Sequence, residues 1–265
     1  MIPLMVAMAF LMEQLDSTII TTAVPDIARD LHVTPVQMSV AVAAYVLAVA
    51  VFIPVSGWFA DRFGARNIFM SALAVFTLGS ALCGLAQSFE MLVAMRILQG
   101  LGGAMMTPVG RLILLRSFPR SQLMAAMTYT TLPAIMGPVI GPLLGGILTS
   151  TLSWRWIFYV NLPFGFIGML LAIRFIANSR EIKVARFDFL GFLMVGGGLG
   201  LFQFGMENVS RSVVSAWTVA ITIAAALGLL LGFGLYARRT PSPAVDLTLF
   251  RIPCFRVGTL EHRAF

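Results

Sequence analysis

The sequence predicts an all-α integral membrane protein, and three observations carry that reading. Of 265 residues, 59% are hydrophobic and 11% charged, with a mean hydropathy of +0.93, whereas a soluble domain carries about 25% charged residues. Apolar runs long enough to cross a bilayer, which takes roughly 20 residues, recur eight times, over residues 2–25, 38–60, 68–86, 91–115, 123–149, 155–177, 188–206 and 215–237. The basic residues gather in alternate connections: segments 61–67, 111–120, 174–186 and 238–265 hold 14 of the 18 lysines and arginines. By the positive-inside rule these connections are cytoplasmic, and with them both termini. The basic residues form neither a groove nor a stripe, so the net charge of +7 does not point to nucleic acid.

The first span contains "FLMEQLDSTII", with Glu13 and Asp16 three positions apart. Three residues of helix leave them about 60° apart, on one face. An ionisable side chain within a span costs about 2.5–3.5 kcal/mol on insertion scales, so it lines a cavity or finds a partner. Two carboxylates on one face disfavour each other's ionisation, as does burial, and an acid able to hold a proton there meets the physical requirement for a proton carrier. The competing reading is structural: one acid near the water interface, the other in a fixed ion pair.

The second span runs into "GWFADRFGARN", which sets Asp61, Arg62 and Arg66 around Gly57 and Gly64 at the cytoplasmic boundary. Ordinary interfacial charges have the same look. The third span contains Cys83, which with Cys254 in the tail makes too few thiols, too far apart, for a disulfide framework or metal cluster.

In the fourth span, "MRILQGLGGAMMTPVG", Arg96 and Gln99 fall at i and i+3, and Gly100 and Gly103 complete the face. Small residues let helices approach closely, so a neighbour can bring Asp16 up to Arg96. Glu13, Gln99, Gly100 and Gly103 are the expected walls of a substrate cavity. The fifth span, "TYTTLPAIMGPVIGPLLGGILTS", holds Pro133, Pro138 and Pro142 with Gly137, Gly141, Gly145 and Gly146. Each proline removes a backbone hydrogen bond, and the glycines at 137, 141 and 145 form a four-residue ladder; the expected result is a bent seam against which another helix bundle rocks, close packing alone being the alternative.

Residues 1–177 therefore read as a six-helix bundle, 178–187 ("NSREIKVARF") as a cytoplasmic linker, 188–237 as an uncharged pair of spans, and 238–265 as a cytoplasmic connector. His32 and His262 lie outside the spans, and no HExxH, GxSxG or P-loop pattern occurs. Neither an enzyme nor a resident cofactor or metal is expected.

Five of these segments, in order, resemble signatures of the major facilitator superfamily: "LDSTIITTAVP", "GWFADRFGARN", "RILQGLGGAM", "GPVIGPLLGGIL" and "WRWIFYVNLP". Within it the chain is similar to the fourteen-helix drug:proton antiporters of the EmrB/QacA type, and among those to the MdtD-like multidrug resistance proteins. The resemblance implies an alternating-access exporter driven by the proton gradient, with two six-helix bundles rocking about a central site and an extra helix pair between them. It implies a proton-coupling pair at Asp16 and Arg96, seconded by Glu13, and a conformational latch at Gly57, Asp61, Arg62, Gly64 and Arg66. The antiporter motif falls on Gly137, Pro138, Gly141, Pro142, Gly145 and Gly146. The implied partners are membrane lipid, protons and a small hydrophobic or cationic substrate, an organic acid such as citrate being the alternative; no segment reads as a docking domain for an outer-membrane partner. The loop signature departs from the family pattern at Ala65, where a basic residue is usual, and the sequence after Gly258 does not read as a ninth helix, so the expectation is that a second bundle is missing. A non-transporting fragment or regulatory subunit is the competing expectation.

Overall fold

The structure, a computed structural model, describes residues 1–177, 186–209 and 214–247; most of the expected linker, Cys254, His262 and the end of the expected connector lie outside them. The described residues are helical throughout their ordered elements, with no strand. The helices are α1 (Ile2–Asp30), α2 (Pro35–Phe52), α3 (Ser56–Phe63), α4 (Ala65–Gly84), α5 (Phe89–Ser117), α6 (Arg120–Thr151), α7 (Trp156–Tyr159), α8 (Asn161–Phe175), α9 (Phe189–Asn208) and α10 (Ala216–Ala237). Together they make eight elements long and apolar enough to cross a membrane. The chain divides into two compact units, Met1–Ile182 and Lys183–Phe265.

Two of the eight expected spans are interrupted, and proline explains both. A 3-10 turn, Ile53–Val55, separates α2 from α3; its Pro54 has no N–H to offer the helix before it. The sixth span breaks at Val160 between α7 and α8. Pro163 sits in the first turn of α8, where a missing N–H is harmless, but its ring would clash with the carbonyl of Tyr159 in a continuous helix. The start of α2 is fixed locally: Thr34 accepts from the Gln37 N–H at 3.2 Å and the Gln37 side chain accepts from the Thr34 N–H at 2.8 Å, a reciprocal cap with Pro35 at the first helical position.

Inside the first unit the apolar core comes in two clusters with a polar layer between them. One cluster contains Val6, Phe10, Phe69, Phe76, Val109 and Ala172; the other contains Ile20, Ile27, Cys83, Leu92, Ile157 and Phe158. Along α1, α4, α5 and the α7–α8 pair, the step from one cluster to the other passes through Asp16, Ser80, Arg96 with Gln99, and Asn161, all buried. Backbone self-satisfaction lets the helices cross a membrane; this layer requires them to meet.

Small residues set how closely they meet. A Cβ on Gly102 of α5 would lie 2.6 Å from the Phe76 amide nitrogen and 2.8 Å from the Ala72 carbonyl oxygen of α4, so the backbones touch there. Gly64, between α3 and α4, has φ 92°, a conformation open to glycine and costly for other residues.

The second unit packs α9 against α10. Asp188 caps α9 by accepting from the Gly191 N–H at 2.9 Å, and also accepts from the Tyr236 hydroxyl at 2.8 Å and the Ala244 N–H at 2.9 Å. One carboxylate thus ties the start of α9 to the end of α10 and the segment after it.

Replacing Gly102 with valine forces backbone apart and is expected to lower stability by about 1–3 kcal/mol or more. A Cβ on Gly228 of α10 would meet nothing within 4 Å, and Gly228→Val is expected to stay within about 0.5 kcal/mol of the parent. Thermal unfolding in detergent compares the two; equal midpoints contradict the close α4–α5 approach.

Candidate functional site

The polar layer is organised around one carboxylate. Asp16, near the middle of α1, forms an ion pair with Arg96 of α5, Nη1 to Oδ2 at 2.6 Å, with both side chains 0% exposed. Its other oxygen, Oδ1, accepts from Gln99 Nε2 at 2.7 Å and from Asn161 Nδ2 at 3.0 Å. Arg96 Nη1 also donates to Gln99 Oε1 at 2.8 Å. The i, i+3 spacing of Arg96 and Gln99 lets one helix turn supply both the counter-charge and a neutral donor. Removing one member of such a buried pair leaves a charge unpaired, at a cost of about 3–5 kcal/mol.

The guanidinium has aromatic neighbours as well. Its central carbon lies 4.5 Å from the Tyr45 ring centroid and 5.9 Å from that of Phe158, distances at which a ring face attracts a cation. Arg96 Nε and Nη2, the Tyr45 hydroxyl and Asn161 Oδ1 are buried with no hydrogen-bond partner.

Glu13 lies one helical turn before Asp16 and also faces α5. Its Oε2 accepts from the Thr107 hydroxyl at 2.6 Å, and it remains partly exposed. Arg111 stands one turn beyond Thr107 and acts on Glu13 electrostatically. The two acids share a face, then, but have different surroundings: Asp16 is enclosed and paired with Arg96, Glu13 is half-buried and bonded to Thr107.

Gly100 and Gly103, expected at the wall of a substrate cavity, pack against α2. Both are buried, and a Cβ on Gly100 would lie 2.6 Å from the Tyr45 carbonyl, one on Gly103 3.0 Å from the Tyr45 hydroxyl. They seat α2 against α5 and bring the Tyr45 ring over Arg96. Gln99 is likewise enclosed at 0% exposure.

The glycine ladder of α6 packs closely against α1 within its own unit. Gly137, Gly141 and Gly145 are buried against Gln14, Thr18 and Thr22 of α1, and the Thr18 hydroxyl lies 3.3 Å from the Gly137 carbonyl. Pro138, Pro142 and Gly146 are exposed, beside the exposed Val139, Leu143 and Ile147. The motif therefore has two sides, a smooth one on α1 and an apolar one facing outward.

At the basic end, Asp61 of α3 pairs with Arg116 of α5 at 2.7 Å, Arg62 is exposed, and Arg66 has its Nε buried without a hydrogen-bond partner. Gly57 has open space around it. At the opposite end Asp30 accepts from Arg155 Nη1 at 2.8 Å and Trp154 Nε1 at 3.0 Å, while Arg155 Nη2 donates to the Ala86 carbonyl at 3.2 Å. Asn161, Ser80, Tyr45 and Thr107 are site residues that the sequence did not single out; for Asn161 the signal was its place within "WRWIFYVNLP", two residues before Pro163. Among the described residues, no group of three or more His, Cys, Asp or Glu side chains could hold a metal.

The sequence profile of the Major Facilitator Superfamily matches residues 6–236. Over 255 residues the chain is 43% identical to a protein from Salmonella heidelberg that carries the name multidrug resistance protein MdtD, and equally to its namesake from Salmonella typhimurium. The match covers 96% of this chain and 54% of each relative, so the chain spans about half the length of the curated relatives it matches. In fold it is similar to the POT family transporter PepTSo, solved in an in meso crystal structure, with a TM-score of 0.58 at 15% identity over 87% of this chain and 52% of that one. With eight apolar helices, and with the family profile extending over both units, the chain belongs to the major facilitator superfamily of multi-pass membrane proteins.

Proposed function

We propose that the chain forms the proton-coupling part of an antiporter that exports drugs or small metabolites across the cytoplasmic membrane by alternating access. The observation that carries this reading is the Asp16–Arg96 pair, fully enclosed in the polar layer of a membrane bundle. A fixed structural role has little use for so costly an arrangement, since an apolar pair of similar volume is often as stable. The name of the MdtD relatives supplies the substrate class.

In this mechanism a proton from the outer side neutralises Asp16, and Arg96 loses its counter-charge. The bond that ties α1 to α5 weakens, and the balance between inward-open and outward-open states shifts. Exchange requires only that proton and substrate bind the two states differently. Glu13, partly exposed and one turn away, is the side chain that meets a cationic substrate or tunes Asp16, with Thr107 holding its carboxylate in place. Asp61 and its neighbours Gly57, Arg62, Gly64 and Arg66 latch the bundles in one state, and the outward-facing side of α6, with Pro138, Pro142 and Gly146, meets the moving partner. The basic end faces the cytoplasm, as the positive-inside rule requires. The proton gradient takes the place of a cofactor.

Three outcomes test the reading. In proteoliposomes of the full-length protein, Asp16→Asn is expected to abolish substrate movement driven by an imposed pH gradient while membrane insertion is unchanged; normal gradient-driven transport by this variant would refute the proton role. Arg96→Met leaves the carboxylate without a counter-charge and is expected to destabilise the protein by about 3–5 kcal/mol, much of it recovered in the Asp16→Asn/Arg96→Met double variant, as read by unfolding in detergent. Glu13→Gln is expected to reduce efflux of a cationic dye several-fold and to spare a neutral compound of similar size; equal effects on both remove Glu13 from cation recognition.

A further inference from the structure

Asn161 holds two groups of fixed polarity. Its Nδ2 lies 3.0 Å from Asp16 Oδ1 and 3.0 Å from Ser80 Oγ, and all three residues are 0% exposed. The Ser80 hydroxyl has one hydrogen, and at 2.8 Å it donates that hydrogen to the backbone carbonyl of Phe158, an atom that can only accept. Ser80 therefore faces Asn161 as an acceptor. An ionised Asp16 is likewise an acceptor only. Both neighbours demand a donor, and the amide is held with its NH₂ toward them and its Oδ1 in a buried position without a partner.

Protonation of Asp16 reverses one of those demands, because the new O–H must find an acceptor. Arg96 and Gln99 Nε2 only donate. Gln99 Oε1 already accepts from Arg96 Nη1 at 2.8 Å and lies 3.7 Å from Cys83 Sγ. Asn161 Oδ1 is the adjacent acceptor with nothing bound to it. A half-turn of the amide places Oδ1 between Asp16 and Ser80, where it accepts the carboxyl proton. Ser80 then turns its own hydrogen from the Phe158 carbonyl to Oδ1.

We infer that Asn161 and Ser80 form a reversible hydrogen-bond relay that reports the protonation state of Asp16 to the break between α7 and α8. The inference rests on Asp16 being the proton carrier. One proton is gained, by Asp16; the Ser80 hydrogen changes direction and not owner, and loss of the proton restores the starting arrangement. The flipped amide leaves its NH₂ unpartnered, which favours return once Asp16 ionises. The receiving end is Phe158, two residues before the break at Val160, whose carbonyl is released and whose ring neighbours Arg96. The ionisable groups around Asp16 are Glu13 on α1, Tyr45 on α2, Cys83 on α4 and Arg96 on α5, and α6 has no charged residue from Ser121 to Thr151. Of the neutral groups near Asp16 that can both donate and accept, Asn161 is the one bonded to both Asp16 and Ser80.

The test is infrared difference spectroscopy, acid minus neutral, on the full-length protein in lipid. The expected spectrum contains a carboxylic acid band that disappears in Asp16→Asn, together with a side-chain amide band that disappears in both Asp16→Asn and Asn161→Leu. The carboxylic band is expected to persist in Asn161→Leu and in Ser80→Ala, at a changed frequency in each. Ser80→Ala removes only a hydroxyl, so it serves if the leucine variant does not fold. A merely structural Asn161 gives no amide band linked to Asp16. If no band belongs to Asp16, the carrier reading fails and the relay fails with it; if the Asp16 band is present but unmoved by both variants, the relay alone is overturned.

Discussion

A carboxylate removed from water must be given back what water supplied, and Asp16 obtains it from three donors on two other helices. Arg96 and Gln99 come from α5, Asn161 from α8, and Ser80 of α4 holds Asn161 in its orientation. No single helix satisfies this group, so the bundle has to assemble around it. Apolar packing above and below then excludes water from the layer, which strengthens each of these bonds and raises the cost of leaving any one unmade.

The two ends of the bundle are held differently from its middle. Asp61–Arg116 and Asp30–Arg155 are partly exposed pairs, and such pairs typically contribute about 0–1 kcal/mol. They position loops without committing them. The central pair cannot open without exposing a buried charge, whereas the end pairs exchange partners with water at little cost. Opening the central pair is therefore costly while Asp16 is ionised, and opening either end pair is cheap.

Charge and periodicity made much of this legible in the sequence. A buried acid needs a partner, and Arg96 was the one base well inside a span, so the pair could be read before any coordinates. The four-residue glycine spacing of α6 was equally plain. Its partner was not: a smooth face fits any helix, and only the fold shows that Thr18 and Thr22 of α1 occupy it. Gly100 and Gly103 are ambiguous for the same reason, since absent side chains suit a cavity wall and a tight helix contact alike. Asn161 and Ser80 escaped notice because neutral polar residues in a span cost too little to stand out. Their importance comes from which atoms they face, and spacing along the chain does not encode that.

The placing of Arg96 between Tyr45 and Phe158 has an electrical consequence. With Asp16 ionised, the Asp16–Arg96 pair is neutral; on the reading that Asp16 takes the proton, the pair carries one positive charge, on a guanidinium flanked by ring faces. A membrane voltage does work of about 2.3 kcal/mol per 100 mV on each elementary charge carried across it. On that reading the protonated and unprotonated forms of the bundle respond differently to voltage, and the two ring faces offset part of the cost of holding the charge where water is excluded.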